Sequence, residues 1–285
     1  MQLANLRSPD GDLPAMVDER GTVALADVMA TPPTDLTALF GSEALETAAV
    51  AVEAALAAGA PCVRQPGPED FAPLLRAPRK VWGIGLNYVE HAGDLSESLP
   101  VEPASFIKAD HTIIGPGEHI ELPWQSQRVT AEAELGLVVG RLCRNVDEDE
   151  ALDYVWGVCC ILDQTAEDVL QRNPRFLTRS KNFPTFFSFG PTLVPMSQVL
   201  ERFGSLGEIE VATVLNGQVH RANSVSNMMY SPTHLVSFHS QVMPLFPGDV
   251  ISTGTPGAVV IRDGDVAECR IPGIGSLSNP VRRSR

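Results

Sequence analysis

A chain of 285 residues that is 44% hydrophobic can bury a sizeable core, as one large domain or one large plus one small. Its formal charge of -14 repels phosphate backbones and anionic lipid, which argues against nucleic-acid and membrane-surface partners. Few aromatics, with 23 Gly and 23 Pro, predict many turns and short strands and exclude a helical bundle.

In chain order, residues 1–29 predict short strands around turns at Asp10-Gly11 and Arg20-Gly21. Residues 35–59 are Ala-rich with apolar residues at helical spacing, and Gly59 supplies a C-terminal stop. The Pro-bearing residues 61–78 read as a linker, which divides a small N-terminal domain (1–74) from a larger one (75–285). From Lys80 onward strand-like runs dominate, at 80–88, 105–109, 133–142, 154–163, 208–217 and 248–256. Helical stretches are fewer, at 147–155, 166–173 and 231–243. Strands with inserted helices, without strict βαβ alternation, predict an α+β, mainly β core.

The five cysteines (Cys62, Cys143, Cys159, Cys160 and Cys269) are odd in number and irregularly spaced, with no Cys-x-x-Cys. Neither a disulfide framework nor a zinc site is indicated, and Cys159 and Cys160 read as small core residues. No leader opens the chain and no apolar run is long enough to span a bilayer, so a soluble cytoplasmic protein is expected.

Glu132 and Glu134 lie in "VTAEAELGLVV". On a strand, residues two apart share a face, roughly 6.6–7 Å apart. Two such carboxylates in an apolar run repel each other and resist burial, and a divalent cation removes both costs. Asp163 ends the apolar run "YVWGVCCIL", where a carboxylate again needs compensation. Three carboxylates without His or Cys suit a hard cation, Mg²⁺ first, with Mn²⁺ or Ca²⁺ also compatible. The same Glu-x-Glu pattern also describes the solvent face of an edge strand.

His91 and Asp94 are three apart in "GLNYVEHAGDL". A carboxylate beside an imidazole fixes its tautomer and raises its basicity, as a water-activating base requires, and a helix-start His with a capping Asp is the plainer alternative. Lys181 precedes several aromatics and serves either as an enolate-stabilising charge or as a snorkelling surface lysine. Gly254 and Thr255, directly after a strand, offer an N–H and a hydroxyl to a substrate carboxylate, or form a plain turn. Gly83 and Gly85 fail as a dinucleotide fingerprint, because Tyr88 holds the third glycine position.

In this order the segments resemble the fumarylacetoacetate hydrolase family. "GLNYVEHAGD" is similar to its Gly-x-Asn-Tyr-x-x-His-x-x-Glu segment, "FIKADHTIIGPGEHIELP" to its Phe-x-Lys segment, and "AEAELGLVVGR" to its Glu-x-Glu metal strand. "ALDYVWGVCCILDQTAEDVLQ" resembles its strand ending in the metal Asp, and "SKNFPTFFSFGPTLVP" its lysine segment. "LNGQVHRANSVSNMMYSPTHLV" and "LFPGDVISTGTP" resemble its Asn-Gly strand and its Thr-Gly-Thr-Pro ending, so the likeness runs from about Lys80 to Asn279.

The resemblance implies a mixed, barrel-like β-sheet core with a small N-terminal domain, assembled as a homodimer. It implies Mg²⁺ held by Glu132, Glu134 and Asp163, His91 as base with Asp94 in place of the family's Glu, and Lys181 as the active-site lysine. Lys108, Gly254 and Thr255 fall on substrate-side positions. Glu167 stands where the family has Arg, which points to a neutral or hydroxylated substrate tail. The implied activity is hydrolysis of a carbon–carbon bond in an acylpyruvate-like or 2,4-dioxo acid. The alternatives are a decarboxylase, isomerase or dehydratase of a 2-oxo acid, or a non-catalytic ligand-binding member.

Overall fold

The computed structural model describes residues 1–88 and 100–283. Its strands form two sheets. The larger, of eleven strands, runs in the order Gly21–Ala24, Leu13–Asp18, Gln2–Leu6, Phe187–Pro195, Val155–Ala166, Val129–Val139, Val250–Ser252, Val81–Gly85 and Ala104–Lys108. Off this path, Ala258–Ile261 pairs with Val129–Val139, and Ile113–Ile114 with Phe187–Pro195. The smaller sheet orders Gln218–Ser224, Glu210–Leu215, Val266–Ile271, Gly275–Arg283 and Ile120–Leu122. Most pairs are antiparallel, but Val250–Ser252 runs parallel to Val81–Gly85. The expected β-rich mixed core is therefore present, as stacked sheets that do not close into a barrel.

The two longest strands, Val129–Val139 and Val155–Ala166, are buried almost throughout. The reason is that both of their faces are covered. Ala131, Ala133, Leu135 and Leu162 share a core with Val211, Ala267, Cys269 and Leu277 of the smaller sheet. Val138, Cys159 and Ile161 point the other way, into a second core with Leu36, Val52 and Leu56. Period-two side-chain geometry thus turns one continuous apolar run into the boundary of two cores. Gly157 permits the close approach of the next strand, since a Cβ there would lie 2.1 Å from the carbonyl oxygen of Val194.

Near the N-terminus, three antiparallel strands join the larger sheet through Gln2–Leu6, which pairs with Phe187–Pro195. The Ala-rich segment forms the helix Ser42–Ala57. Gly59, at φ 57°, turns the chain so that the Ala60 N–H reaches the carbonyl of Ala55. Ser231 caps the helix Pro232–Val242 by accepting from the His234 N–H.

Residues 147–155 differ from the helix expected there. Only the 3₁₀ turn Ala151–Tyr154 forms. Four consecutive acids crowd like charge into one turn, and Glu148 accepts instead from Ser231, Thr233 and His234. Among the described residues, no helix is long and apolar enough to cross a membrane.

Candidate metal centre

In the antiparallel ladder Glu132 lies directly opposite Asp163, and Glu134 follows two residues on along the same face. The register alone therefore brings the three carboxylates together. One oxygen from each lies within 4.8 Å of the others. Glu132 is 9% exposed, Glu134 1% and Asp163 0%, so the solvent-face alternative for Glu-x-Glu does not apply.

Buried carboxylates need compensation, and each has it. Thr130 and Thr165, themselves cross-strand partners, donate their hydroxyls to Oε1 of Glu132 at 3.1 and 2.5 Å. Ser252 Oγ and the Gly254 N–H donate to Oε2 of Glu134 at 2.5 and 2.7 Å. The Gly254 turn is specific for glycine. Its φ is 100°, and a Cβ would meet the Asn87 Cβ at 2.8 Å. Asn87 fixes this turn by donating to the carbonyls of Thr253 and Tyr230 at 2.8 and 3.0 Å.

Two lysines complete the cluster. Lys181 Nζ donates to Glu132 Oε2 at 2.9 Å and to Asp163 Oδ2 at 2.6 Å, over the Phe106 ring at 4.6 Å. The Phe106 ring occupies the space beside Gly83, where a Cβ would come within 2.2 Å. Lys108 Nζ pairs with the other oxygen of Asp163 and donates to the Gln164 carbonyl at 3.1 Å. Lys181 is 5% exposed, which excludes the snorkelling alternative.

Burial, reinforced by the Asp163 charge, pushes the Glu134 carboxyl upward. Burial pushes Lys108 down to about 8, partly offset by Asp163. Lys181 is also penalised by burial, but the charges of Asp163, Glu132 and Glu134 outweigh it and raise its pKa. The lysines diverge because the charges of all three carboxylates act on Lys181, whereas Lys108 is held mainly by Asp163 and is repelled by Lys181.

Three carboxyl groups meet two ammonium groups here, and the raised pKa of Glu134 means that its proton must leave before it serves as a charged ligand. The cluster's oxygen-only donors fit a hard divalent cation, whose charge would favour the ionised form of Glu134.

The structure brings Glu132, Glu134, Asp163, Lys181, Lys108 and Gly254 into one cluster. Thr255 is buried, and its hydroxyl bonds within its own turn to Gly257. His91 and Asp94 lie outside the described residues. Glu167 turns to Arg128, whose Nε reaches it at 2.6 Å, and it accepts from Gln171 at 2.9 Å.

Sequence reasoning missed Thr130, Thr165 and Ser252. The signal for the first two was a spacing of two residues from Glu132 and Asp163, which places them on the carboxylate face. Ser252 gave no signal, because its contact spans 118 residues. Ser252→Ala should weaken divalent-cation binding about 10–100-fold, as loss of an orienting partner does, with little change in fold. Titration calorimetry measures this, and unchanged affinity would show that the Gly254 N–H orients Glu134 unaided.

A family model described as fumarylacetoacetate (FAA) hydrolase C-terminal matches residues 80–282. The mitochondrial oxaloacetate tautomerase of Xenopus laevis is 34% identical over 220 residues, covering 74% of this chain and 67% of that protein. The crystal structure of 5-carboxymethyl-2-hydroxymuconate delta-isomerase from Mycobacterium smegmatis aligns over 100% of both chains, with TM-score 0.74 and 29% identity. Maleylpyruvate hydrolase from Sphingobium sp. SYK-6, in complex with manganese(II) and pyruvate, aligns over 100% of both chains with TM-score 0.81. At 24% identity, that last likeness speaks to the fold.

Proposed function

The chain belongs to the fumarylacetoacetate hydrolase family, and from that premise we propose a metal-dependent enzyme that carries a small 2-oxo acid through an enolate. The first reading is hydrolysis of a carbon–carbon bond in an acylpyruvate-like or 2,4-dioxo acid. One observation carries the proposal: three buried carboxylates converge with two buried lysines in one cluster.

A divalent cation held by Glu132, Glu134 and Asp163 supplies Lewis-acid stabilisation of negative charge developing on the substrate. Lys108 fixes Asp163, and the Gly254 N–H with Ser252 fixes Glu134. Lys181 brings a positive charge to the same place, suited to an enolate oxygen. The resemblance assigns the base to His91 with Asp94 as its partner, and in this proposal that base takes a proton from water. The hydroxide oxygen bonds to the distal carbonyl carbon, the adjacent carbon–carbon bond breaks, and its electron pair becomes the enolate, which a proton then quenches.

A second reading is tautomerisation or isomerisation, which needs the enolate but no attacking water. It is favoured by the Xenopus laevis tautomerase at 34% identity and the Mycobacterium smegmatis isomerase at 29%. Product analysis separates the two. Incubated with a panel of acylpyruvates and with oxaloacetate, a hydrolase yields two acid fragments from each acylpyruvate by NMR. Exchange of the enol and keto forms without fragments selects the second reading. Inertness toward every compound, with or without Mg²⁺ or Mn²⁺, removes both. A homodimer belongs to the same proposal.

A further inference from the structure

We propose that Lys181 is the resident counter-ion of the metal centre: its ammonium bridges Glu132 and Asp163 until a divalent cation takes their charge, and then turns to the anionic substrate. This rests on the metal-centre reading above. It adds a role for Lys181 toward the cation and a competition between the two.

The geometry is that of a bridging cation. Nζ sits 2.9 Å from Glu132 Oε2 and 2.6 Å from Asp163 Oδ2, on two facing residues of adjacent strands. These are two of the three carboxylates able to share an ion. A divalent cation and the ammonium therefore draw on the same negative charge. Placed on the same carboxylates they stand only a few ångströms apart, where like charges in a buried site repel strongly.

Lys108 and Lys181 are not equivalent in this respect. Lys108 also donates to the Gln164 carbonyl, a neutral acceptor whose bond does not depend on the charge of the carboxylates. The hydrogen-bond acceptors of Lys181 are Glu132 and Asp163 alone among the described residues, with the Phe106 ring beneath it. Lys181 ends the short helix Leu177–Lys181, and its flexible four-carbon stem lets the ammonium swing without moving the backbone.

Two consequences follow. The ammonium holds the carboxylates together but lowers their affinity for the cation. An anionic substrate then gives the released ammonium a new partner, so cation and substrate strengthen each other's binding by the same factor.

The test is the affinity of chelator-treated protein for MnCl₂ by titration calorimetry, with wild type, Lys181→Met, Lys181→Gln and Lys181→Arg. Both neutral variants should bind Mn²⁺ at least about tenfold tighter than wild type, and Lys181→Arg should stay near wild type. Oxalate, an unreactive anion, should tighten Mn²⁺ binding more in wild type than in the neutral variants, where no ammonium is left to gain a partner. Equal or weaker Mn²⁺ binding by the neutral variants overturns the proposal and leaves the metal centre standing, with Lys181 a fixed strut for its ligands. Failure of wild type and every variant to bind Mn²⁺ overturns the metal centre, and this proposal with it. Two neutral variants of different polarity keep the comparison available if one does not fold, as judged by circular dichroism.

Discussion

Asp163→Asn is expected to remove cation binding, to lower turnover on the order of a thousandfold or more, and to cost the fold about 3–5 kcal/mol. The stability loss is the less obvious part. Asp163 is 0% exposed, and both its oxygens receive an ammonium, Lys108 on one and Lys181 on the other. The Lys108 side chain is itself 0% exposed. Asparagine keeps the shape but withdraws the charge, which leaves Lys108 buried without a counter-ion. Breaking a buried pair from one side is costly because the partner stays desolvated. The double variant Lys108→Met with Asp163→Asn should recover part of that stability, because no unpaired charge remains, and should recover none of the activity. Urea unfolding and Mn²⁺ titration measure the two effects separately. A single variant that unfolds at the wild-type urea concentration and still binds Mn²⁺ would dismantle the arrangement.

How far this cluster was legible in the sequence depends on which physical signal each residue carried. Glu132, Glu134 and Asp163 stood out because carboxylates interrupt runs that are otherwise apolar, and local composition displays that cost directly. The pairing that joins them did not stand out. Setting Glu132 opposite Asp163 depends on the register of two strands, and a slip of one residue would have sent Asp163 to the other face. Lys181 was ambiguous for a related reason. A lysine beside aromatics fits a surface or a core, and only the carboxylates of distant strands decide between them. Thr130 and Thr165 were readable from face periodicity, whereas Ser252 was not.

The fold shows the same division. The strand runs after Lys80 and the stop at Gly59 follow from local chemistry. The helix Met196–Phe203 was missed although it is strongly amphipathic and Pro195 and Gly204 mark its two ends. The pairing of Gln2–Leu6 with Phe187–Pro195 joins segments far apart in the chain, and no local pattern encodes it. Residues 147–155 carried the acidic start of a helix, but the contacts of Glu148 with Ser231, Thr233 and His234 won. Only at residues 147–155 do tertiary contacts override a short-range preference; the helix Met196–Phe203 carried its own local signal.

Chelation is expected to abolish turnover, and addition of Mg²⁺ or Mn²⁺ to the chelated protein to restore it and raise Tm together. The cluster gathers three carboxyl groups that the unfolded chain disperses, so the ligands of the cation stand together only in the folded form. A cation that binds only the folded form adds RT ln(1 + [L]/Kd), about 2.7 kcal/mol at a hundredfold excess over Kd. Oxygen-only donors accept either ion, so both should serve, with Ca²⁺ binding through the same ligands. Glu132→Gln separates this specific effect from general screening. It removes one ligand charge and one of the two carboxylates that hold Lys181, while Thr130 and Thr165 can still donate to the amide oxygen. The Tm rise should therefore shrink to a fraction of the wild-type value at equal cation concentration, and turnover should not return. Scanning calorimetry and a coupled assay on one preparation give both numbers. Turnover that persists in EDTA, or a Tm rise as large in Glu132→Gln as in wild type, would place the chemistry elsewhere in the molecule.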